Sequence, residues 1–387
     1  MVGEKRIAVH IPDFSGGGAE RMMIHLSEEF AARGAAVDMV VSRTEGPRAS
    51  EVGDDVNVVD LEAEPFPGYS ALGALQPLRS YLRRADPDAL LSALTRANVV
   101  ALLACKTTAT GTRVVVSERN HLSSTVANAG LRMKSLPWLV RRTYPWADCV
   151  VPISQGVADD LASVSGLPRA EMRTIYNPVV NDTLRRQAEE PCPHAWFDED
   201  AAPVVLGVGS LTPQKDFPTL VRAFERVRRR REQPIRLMIL GEGPERERLE
   251  SLLNELDLAD VAALPGFVDN PLPFMREAAV FVLSSAWEGF GNVVVESLLC
   301  GTPVVATDCP SGPAEILAGG KYGRLVPVGD EEALAQATAA TLDASVDEES
   351  LRARAERFSA DEIAVEYLEV LLSDEFPAPG ERSPGAK

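Results

Sequence analysis

The 387-residue chain is poor in several things at once. Only six of its 39 basic residues are lysine, histidine occurs four times, and aromatic side chains make up 6%. No stretch approaches the roughly 18–20 consecutive apolar residues that would cross a bilayer. The apolar run near the start, Ile7-Ala8-Val9, is too short for the core of a signal peptide. Cysteine is sparse: Cys105, Cys149, Cys192, Cys300 and Cys309 are odd in number, widely spaced and never in a CxxC pair. That pattern argues against a disulfide framework or a zinc site and for reduced thiols in a cytoplasmic protein. Positive charge is short as well, at 39 basic against 57 acidic residues, net −18. A general nucleic-acid binder is thereby disfavoured, because neutralising phosphates needs clustered Lys and Arg.

What is present is an ordinary globular composition, 45% hydrophobic and 25% charged, on a length that suits two domains of about 150–200 residues each. The charge is unevenly placed: residues 1–190 carry 21 basic and 23 acidic side chains, the remainder 18 and 34. Strand-like and helix-like segments alternate. KRIAVHI, a glycine run, a helix over 19–32 with Met22, Met23, Leu26 and Phe30 on one face, and AVDMVVS make a βαβ unit. DALLSAL, RVVVSE and CVVPIS read as further strands, and their unbroken apolar runs suit a parallel sheet covered on both faces. The grammar resumes after a polar, Pro-containing stretch with PVVLGVGS, FPTLVRAFERVRRR, IRLMILGEG, ERERLESLLNEL, AVFVLSS, VVVESLLC and TPVVATD. The expected organisation is an N-terminal Rossmann-like domain over 1–185, a linker over 186–202 and a C-terminal domain over 203–358. An amphipathic helix over 359–373 would pack back toward the first domain, and a mobile tail would follow over 374–387. The fold class is α/β, two doubly wound domains facing across a cleft.

Three segments carry chemistry. Ser15-Gly16-Gly17-Gly18-Ala19-Glu20 follows the first strand and opens a helix, where glycines let backbone approach a ligand and the helix start favours an anion. The GxGxxG spacing of a nicotinamide-dinucleotide site is missing, since Arg21 stands where the third glycine would be. Gly207-Val208-Gly209-Ser210 through Lys215 again joins a strand end to a helix and offers one ammonium to a diphosphate, and Gly241-Glu242-Gly243 follows the next strand in the same way. Trp287-Glu288-Gly289-Phe290-Gly291-Asn292, with Glu296 eight residues after Glu288, combines two carboxylates for hydroxyl groups with glycine-flanked amides for phosphate. Each alone has an ordinary alternative: a tight turn, a solvated lysine, or two solvated acids flanking a helix cap.

Together and in this order, with SERN, ISQGVADDL, IYNPV, GFVDNP and VATDCPSGPAEIL, they resemble the GT-B-fold retaining glycosyltransferases of family 4, in particular the branch that extends lipid-linked or other glycan precursors. The resemblance implies a GT-B architecture and transfer of a sugar from a nucleotide donor, a UDP-hexose or UDP-N-acetylhexosamine, to a glycan or lipid-diphosphate acceptor. No cofactor is expected, and because no DxD motif accompanies a plausible metal site, neither is a metal. By position, Lys215 would hold the donor diphosphate, Glu288 the donor sugar and Glu296 the ribose. Amides at Gly289, Phe290, Gly291 and Asn292 would contact sugar and phosphate. Phe267 and Val268 would frame the base beside the Gly241 and Gly243 loop, and Gly17 and Gly18 would face the diphosphate. Ser210 stands where relatives usually have arginine. Arg119 stands where they have histidine, with His121 two residues on, so both are candidates near the reacting sugar. Two other functions remain open from the residues: a non-catalytic nucleotide-sugar binder and an NAD(P)-dependent oxidoreductase. One basic segment survives: between residues 89 and 147 eight basic side chains face the single acid Glu118. Its later part, 131–146, interleaves Leu131, Met133, Trp138 and Trp146 with Arg132, Lys134, Arg141 and Arg142. That pattern suits contact with an anionic membrane on the cytoplasmic face, or equally a helix whose apolar side is core.

Overall fold

The structure, a computed structural model, describes residues 5–15, 17–66, 69–108, 110–128, 134–198 and 201–372. Gly16, the Leu131-Arg132-Met133 part of the basic segment and the tail expected from 374 lie outside the described residues. Among the described residues the chain divides into two compact units. One runs to Pro178 and resumes at Ala360; the other is Val179–Ser359.

The first unit is a parallel sheet of β1 (Arg6–Ile11), β2 (Ala36–Val41), β3 (Val56–Asp60), β4 (Ala89–Ala93), β5 (Arg113–Glu118) and β6 (Cys149–Pro152), in the order β3-β2-β1-β4-β5-β6. All five residues of β4 are buried, as are the last five of β1, β2 and β5, because helices cover both faces. On one face the helix Gly18–Ala32 and the returning helix Ala360–Leu372 set Met23, Phe30, Ile363, Tyr367 and Leu371 against the sheet. On the other, Leu78, Leu82, Val100, Val140 and Leu161 come from four further helices. Strand β3 is not legible as an apolar run because it lies at the sheet edge with only Val56 fully buried.

The second unit repeats the plan with β7 (Val204–Val208), β8 (Arg236–Leu240), β9 (Ala262–Gly266), β10 (Val280–Leu283), β11 (Val304–Thr307) and β12 (Arg324–Val326), ordered β12-β11-β10-β7-β8-β9. The helix Phe217–Arg230 shows why these residues fold so: Phe217, Leu220, Val221, Phe224 and Val227 recur at helical spacing and are all buried in the core. Each such side chain contributes roughly 1.5–3 kcal/mol on burial. Both sheets therefore have the doubly wound 3-2-1-4-5-6 order. Its winding reverses between the first and fourth strands, and crevices open there at the strands' carboxyl ends.

Residues 186–202, expected as a linker, lie in the second unit, and the boundary falls earlier, at Pro178/Val179. The helix Asp182–Ala188 is tied down by Asn270 Nδ2 donating to Gln187 O (2.9 Å) and Arg276 donating to Ala188 O (2.5 Å). Arg236 lies over the Trp196 ring, 4.9 Å from its centroid. The polar composition of this stretch is that of a strap on the unit's surface. The five cysteines are all free thiols, and burial pushes Cys105, Cys300 and Cys309 up to about 12.

Candidate active site

The site in the second unit is built where β7 and β10 lie side by side. The loops leaving β7, β8 and β9 are stacked backbone on backbone: Gly209 N donates to Leu240 O (3.0 Å), Leu211 N to Glu242 O (2.8 Å) and Gly241 N to Gly266 O (2.8 Å). This closeness requires glycine at Gly241, whose φ is +144° and whose side chain would run into Gly209 O. The loop after β7 ends in Lys215, whose N–H bonds Thr212 O (3.1 Å), and Asp216 at φ +44° starts the next helix.

Lys215 and Glu288, which sequence reading gave separate duties, are paired here. Lys215 Nζ lies 2.5 Å from Glu288 Oε1, with side chains 16% and 8% exposed. Ser285 Oγ donates to the same Oε1 at 2.7 Å, so two donors fix that oxygen, and Oε2 takes no hydrogen bond from the described residues. The loop holding Glu288 is fastened on each side. Ala286 N donates to Gln214 O (2.8 Å), Gln214 Nε2 to Trp287 O (3.0 Å), Thr307 Oγ1 to Ser285 O (2.6 Å) and Ser284 Oγ to Lys215 O (2.7 Å). Ser285, Thr307 and Gln214 were missed in the sequence. For Ser285 the signal was the Ser-Ser before Ala-Trp-Glu-Gly; Gln214 and Thr307 lie in other segments.

Three residues after Glu288, Gly291 at φ +96° caps the helix Asn292–Leu299 through its backbone, with no side chain of its own to bond the first turn. Such a helix start is an anion site. Glu296, one turn in, is 2% exposed. Phe290 turns its ring into the core against Phe358, centroids 5.5 Å apart. Phe267 stands 70% exposed just beyond β9, with Val268 half-buried beside it. A nucleobase could stack on such a ring. Ser210 is exposed and its carbonyl accepts from Thr212 N at 2.8 Å.

The other expected site residues are in the first unit. Gly17 caps the helix Gly18–Ala32 without a side-chain bond, and both Gly17 and Gly18 are exposed. Arg119 is 4% exposed: its Nη1 donates to Asn177 Oδ1 (2.8 Å), and burial holds its guanidinium below the usual range. This is the geometry of a tether inside the unit, not of an arginine presented to a substrate. His121 caps the short helix Leu122–Ala127, with Nδ1 3.0 Å from Ser124 Oγ and 3.7 Å from Asp160 Oδ1. Beside them Glu118 is fully buried, accepting from Thr95 Oγ1 (2.8 Å) and Tyr144 Oη (2.6 Å), and burial raises its pKa.

Two doubly wound α/β units of this order, one of them carrying a buried lysine–carboxylate pair, define the GT-B architecture. Solved structures of that fold superpose on the chain. Sucrose-phosphate synthase from Thermosynechococcus elongatus does so with TM-score 0.77 at 23% identity, over 95% of this chain and 98% of that one. Anabaena HepE, solved with UDP and glucose, gives 0.74 at 20% identity, over 95% and 99%. Residues 202–344 match the model of glycosyl transferases group 1, and residues 16–182 that of glycosyltransferase family 4. The lipopolysaccharide core biosynthesis glycosyltransferase LpsE of Rhizobium meliloti is 30% identical over 369 residues, 92% of this chain and 96% of that one. The N-acetylgalactosamine-N,N'-diacetylbacillosaminyl-diphospho-undecaprenol 4-alpha-N-acetylgalactosaminyltransferase of Campylobacter jejuni is 31% identical over 287 residues, 72% of this chain and 74% of that one. The chain belongs to this family and is a glycosyltransferase, which displaces the oxidoreductase and non-catalytic alternatives.

Proposed function

We propose that the enzyme transfers a hexose or N-acetylhexosamine, with retention and without a metal, from a UDP-sugar to a glycan or a lipid-diphosphate-linked glycan. The observation that carries this reading is the Lys215–Glu288 pair beside the start of the helix Asn292–Leu299. The ammonium has three donors and spends one on Glu288, so two remain for diphosphate oxygens. Glu288 has Oε2 left to accept from hydroxyls of the donor sugar, and Glu296 is the carboxylate assigned to the ribose. When the bond between the anomeric carbon and the diphosphate breaks, negative charge grows on the leaving oxygen. Lys215 and the positive end of the helix Asn292–Leu299 oppose that charge from fixed positions, the arrangement that lowers such barriers most. The acceptor hydroxyl supplies the new bond and loses its proton to the departing phosphate. Relatives named for lipopolysaccharide core synthesis and for a diphospho-undecaprenol substrate support a glycan or lipid-linked acceptor. Mass-spectrometric detection of UDP and glycosylated acceptor from UDP-sugars tests the reading. Turnover unaffected by EDTA supports the metal-free part, and activity lost to EDTA and restored by Mn²⁺ overturns it.

Contact with an anionic membrane belongs to the same reading. No helix among the described residues is long and apolar enough to cross a membrane. The helix Leu136–Thr143 instead buries Leu136, Val140 and Thr143 and leaves Trp138, Arg141 and Arg142 exposed, with Lys134 exposed just before it. Trp138 is 61% exposed with the Arg142 guanidinium 6.0 Å from its ring centroid, and Trp146 stands 38% exposed. An aromatic side chain flanked by cations suits a headgroup region.

A further inference from the structure

The first unit holds a cavity that the donor chemistry does not use. It lies at the carboxyl ends of β1, β2 and β4, where the winding of that sheet reverses, and encloses about 260 Å³. Ligand pockets commonly run to roughly 300–1,000 Å³, so this one suits a single ring rather than an oligosaccharide or an acyl chain. Its floor is His10, 1% exposed, with Nδ1 3.4 Å from Ser92 Oγ and Nε2 without a hydrogen-bond partner. One wall is made of small apolar side chains, Ala63, Ala74, Ala97 and Val100, which leave a flat surface against which a ring can lie. The exposed rim carries two guanidinium groups, Arg43 from the end of β2 and Arg96 from the start of the helix Thr95–Thr108. Arg96 lies 6.0 Å from the Tyr69 ring centroid, and Tyr69 Oη is itself buried without a partner. Asp13, also in the lining, accepts from Ser15 N at 2.8 Å.

An unpartnered polar atom in a buried floor costs stability unless something bonds it. Here such an atom, the Nε2 of a buried imidazole, lines one ring-sized space whose rim carries two cations. We propose that this cavity is a subsite for an anionic monosaccharide unit, the ring against the small apolar wall, a hydroxyl on His10 Nε2 and a phosphate between Arg43 and Arg96. Burial lowers the His10 pKa to about 4, so the imidazole stays neutral and can bond a hydroxyl in either direction. Arg43 and Arg96 thereby select an acceptor that carries its negative charge next to the first sugar. This rests on the reading of the enzyme as acting on a glycan acceptor, and it adds which residues recognise that acceptor.

Calorimetric titration of the whole protein with N-acetylglucosamine 1-phosphate tests it, with inorganic phosphate and N-acetylglucosamine as separate probes. Binding of the sugar phosphate at least tenfold tighter than either part is the expected result. Arg43→Ala combined with Arg96→Ala should weaken it tenfold or more while the affinity for UDP is unchanged. His10→Phe, which fills the floor and removes its nitrogens, should abolish it. Should that buried variant fail to fold, the two exposed arginines still decide the matter. Displacement of the soluble probe by vesicles carrying polyprenyl-diphosphate-linked N-acetylglucosamine assigns the anion to a lipid-linked acceptor. Retained probe binding without displacement assigns it to a soluble glycosyl phosphate, and the subsite stands in both cases. Equal binding of inorganic phosphate, or sugar-phosphate binding indifferent to the arginine variants, overturns the proposal. Neither result depends on turnover, so an enzyme inactive on UDP-sugars would sink the functional reading without touching this one.

Discussion

Lys215 and Glu288, 73 residues apart in the chain, meet at 2.5 Å in the second unit, nearly withdrawn from water. Removing one partner leaves the other charge poorly solvated. Lys215→Ala and Glu288→Ala should each cost about 3–5 kcal/mol. Lys215→Ala combined with Glu288→Ala should cost less than the sum of the two singles. Urea denaturation of the four proteins in a double-mutant cycle checks this. Additive losses would mean that the pair contributes no coupling.

The backbone stack under the site makes a second prediction. Gly241→Ala forces a side chain against Gly209 O at a φ of +144°, and it should both destabilise the fold and weaken UDP binding. Gly34→Ala is the comparison: its φ is +92° but nothing lies within 4 Å, so the cost is backbone strain alone, about 1 kcal/mol. UDP should stabilise that variant as it does wild type, by about 2.7 kcal/mol at 100 times Kd. Equal UDP affinity in the two variants would detach the stack from donor binding.

Much of this architecture was legible from periodicity. Helix Phe217–Arg230 is the segment FPTLVRAFERVRRR itself, and the strands with continuous apolar runs lie where the pattern placed them. Edge strand β3, three-residue β12 and β9 with its proline carry no such run, so they emerged only from pairing with β2, β11 and β8. At the site, Glu288 and Lys215 were legible as types set in glycine-rich loops. Their contact was not, because nothing local encodes a meeting across 73 residues. The same limit hid Ser285 and Thr307, which act through Glu288 and its loop. Arg119 was legible only as a candidate near the reacting sugar; its contacts with Asn177 and Met23, 58 and 96 residues away, were not.

Acid should weaken the protein in a defined window. Burial lowers His10 and His25 from 6.5 to about 4, so between those values the unfolded chain binds protons that the native one refuses. Stability from these two groups is present above pH 6.5 and falls as pH drops toward 4, by at most about 3 kcal/mol each. Glu118, raised by burial, acts with the opposite sign and partly offsets the loss. Unfolding free energies at pH 7 and 5 for wild type and a His10→Gln/His25→Gln variant read the effect. The variant should show the shallower fall, and an unchanged slope would rule out neutral buried imidazoles.

The exposed cations around Trp138 should attach the enzyme to anionic vesicles. Replacing Lys134, Arg141 and Arg142 with glutamine should reduce co-sedimentation with phosphatidylglycerol vesicles by more than tenfold, at about 1 kcal/mol per charge. Wild-type binding should fade as salt is raised. Absence of binding at every salt concentration would reject the membrane contact.

The account turns on one number, the kcat of folded Lys215→Ala at saturating UDP-sugar. If Lys215 opposes charge on the departing diphosphate, kcat should fall at least a hundredfold, which corresponds to about 2.7 kcal/mol of lost transition-state stabilisation. A variant that keeps its near-UV dichroism and turns over within threefold of wild type would contradict the assignment.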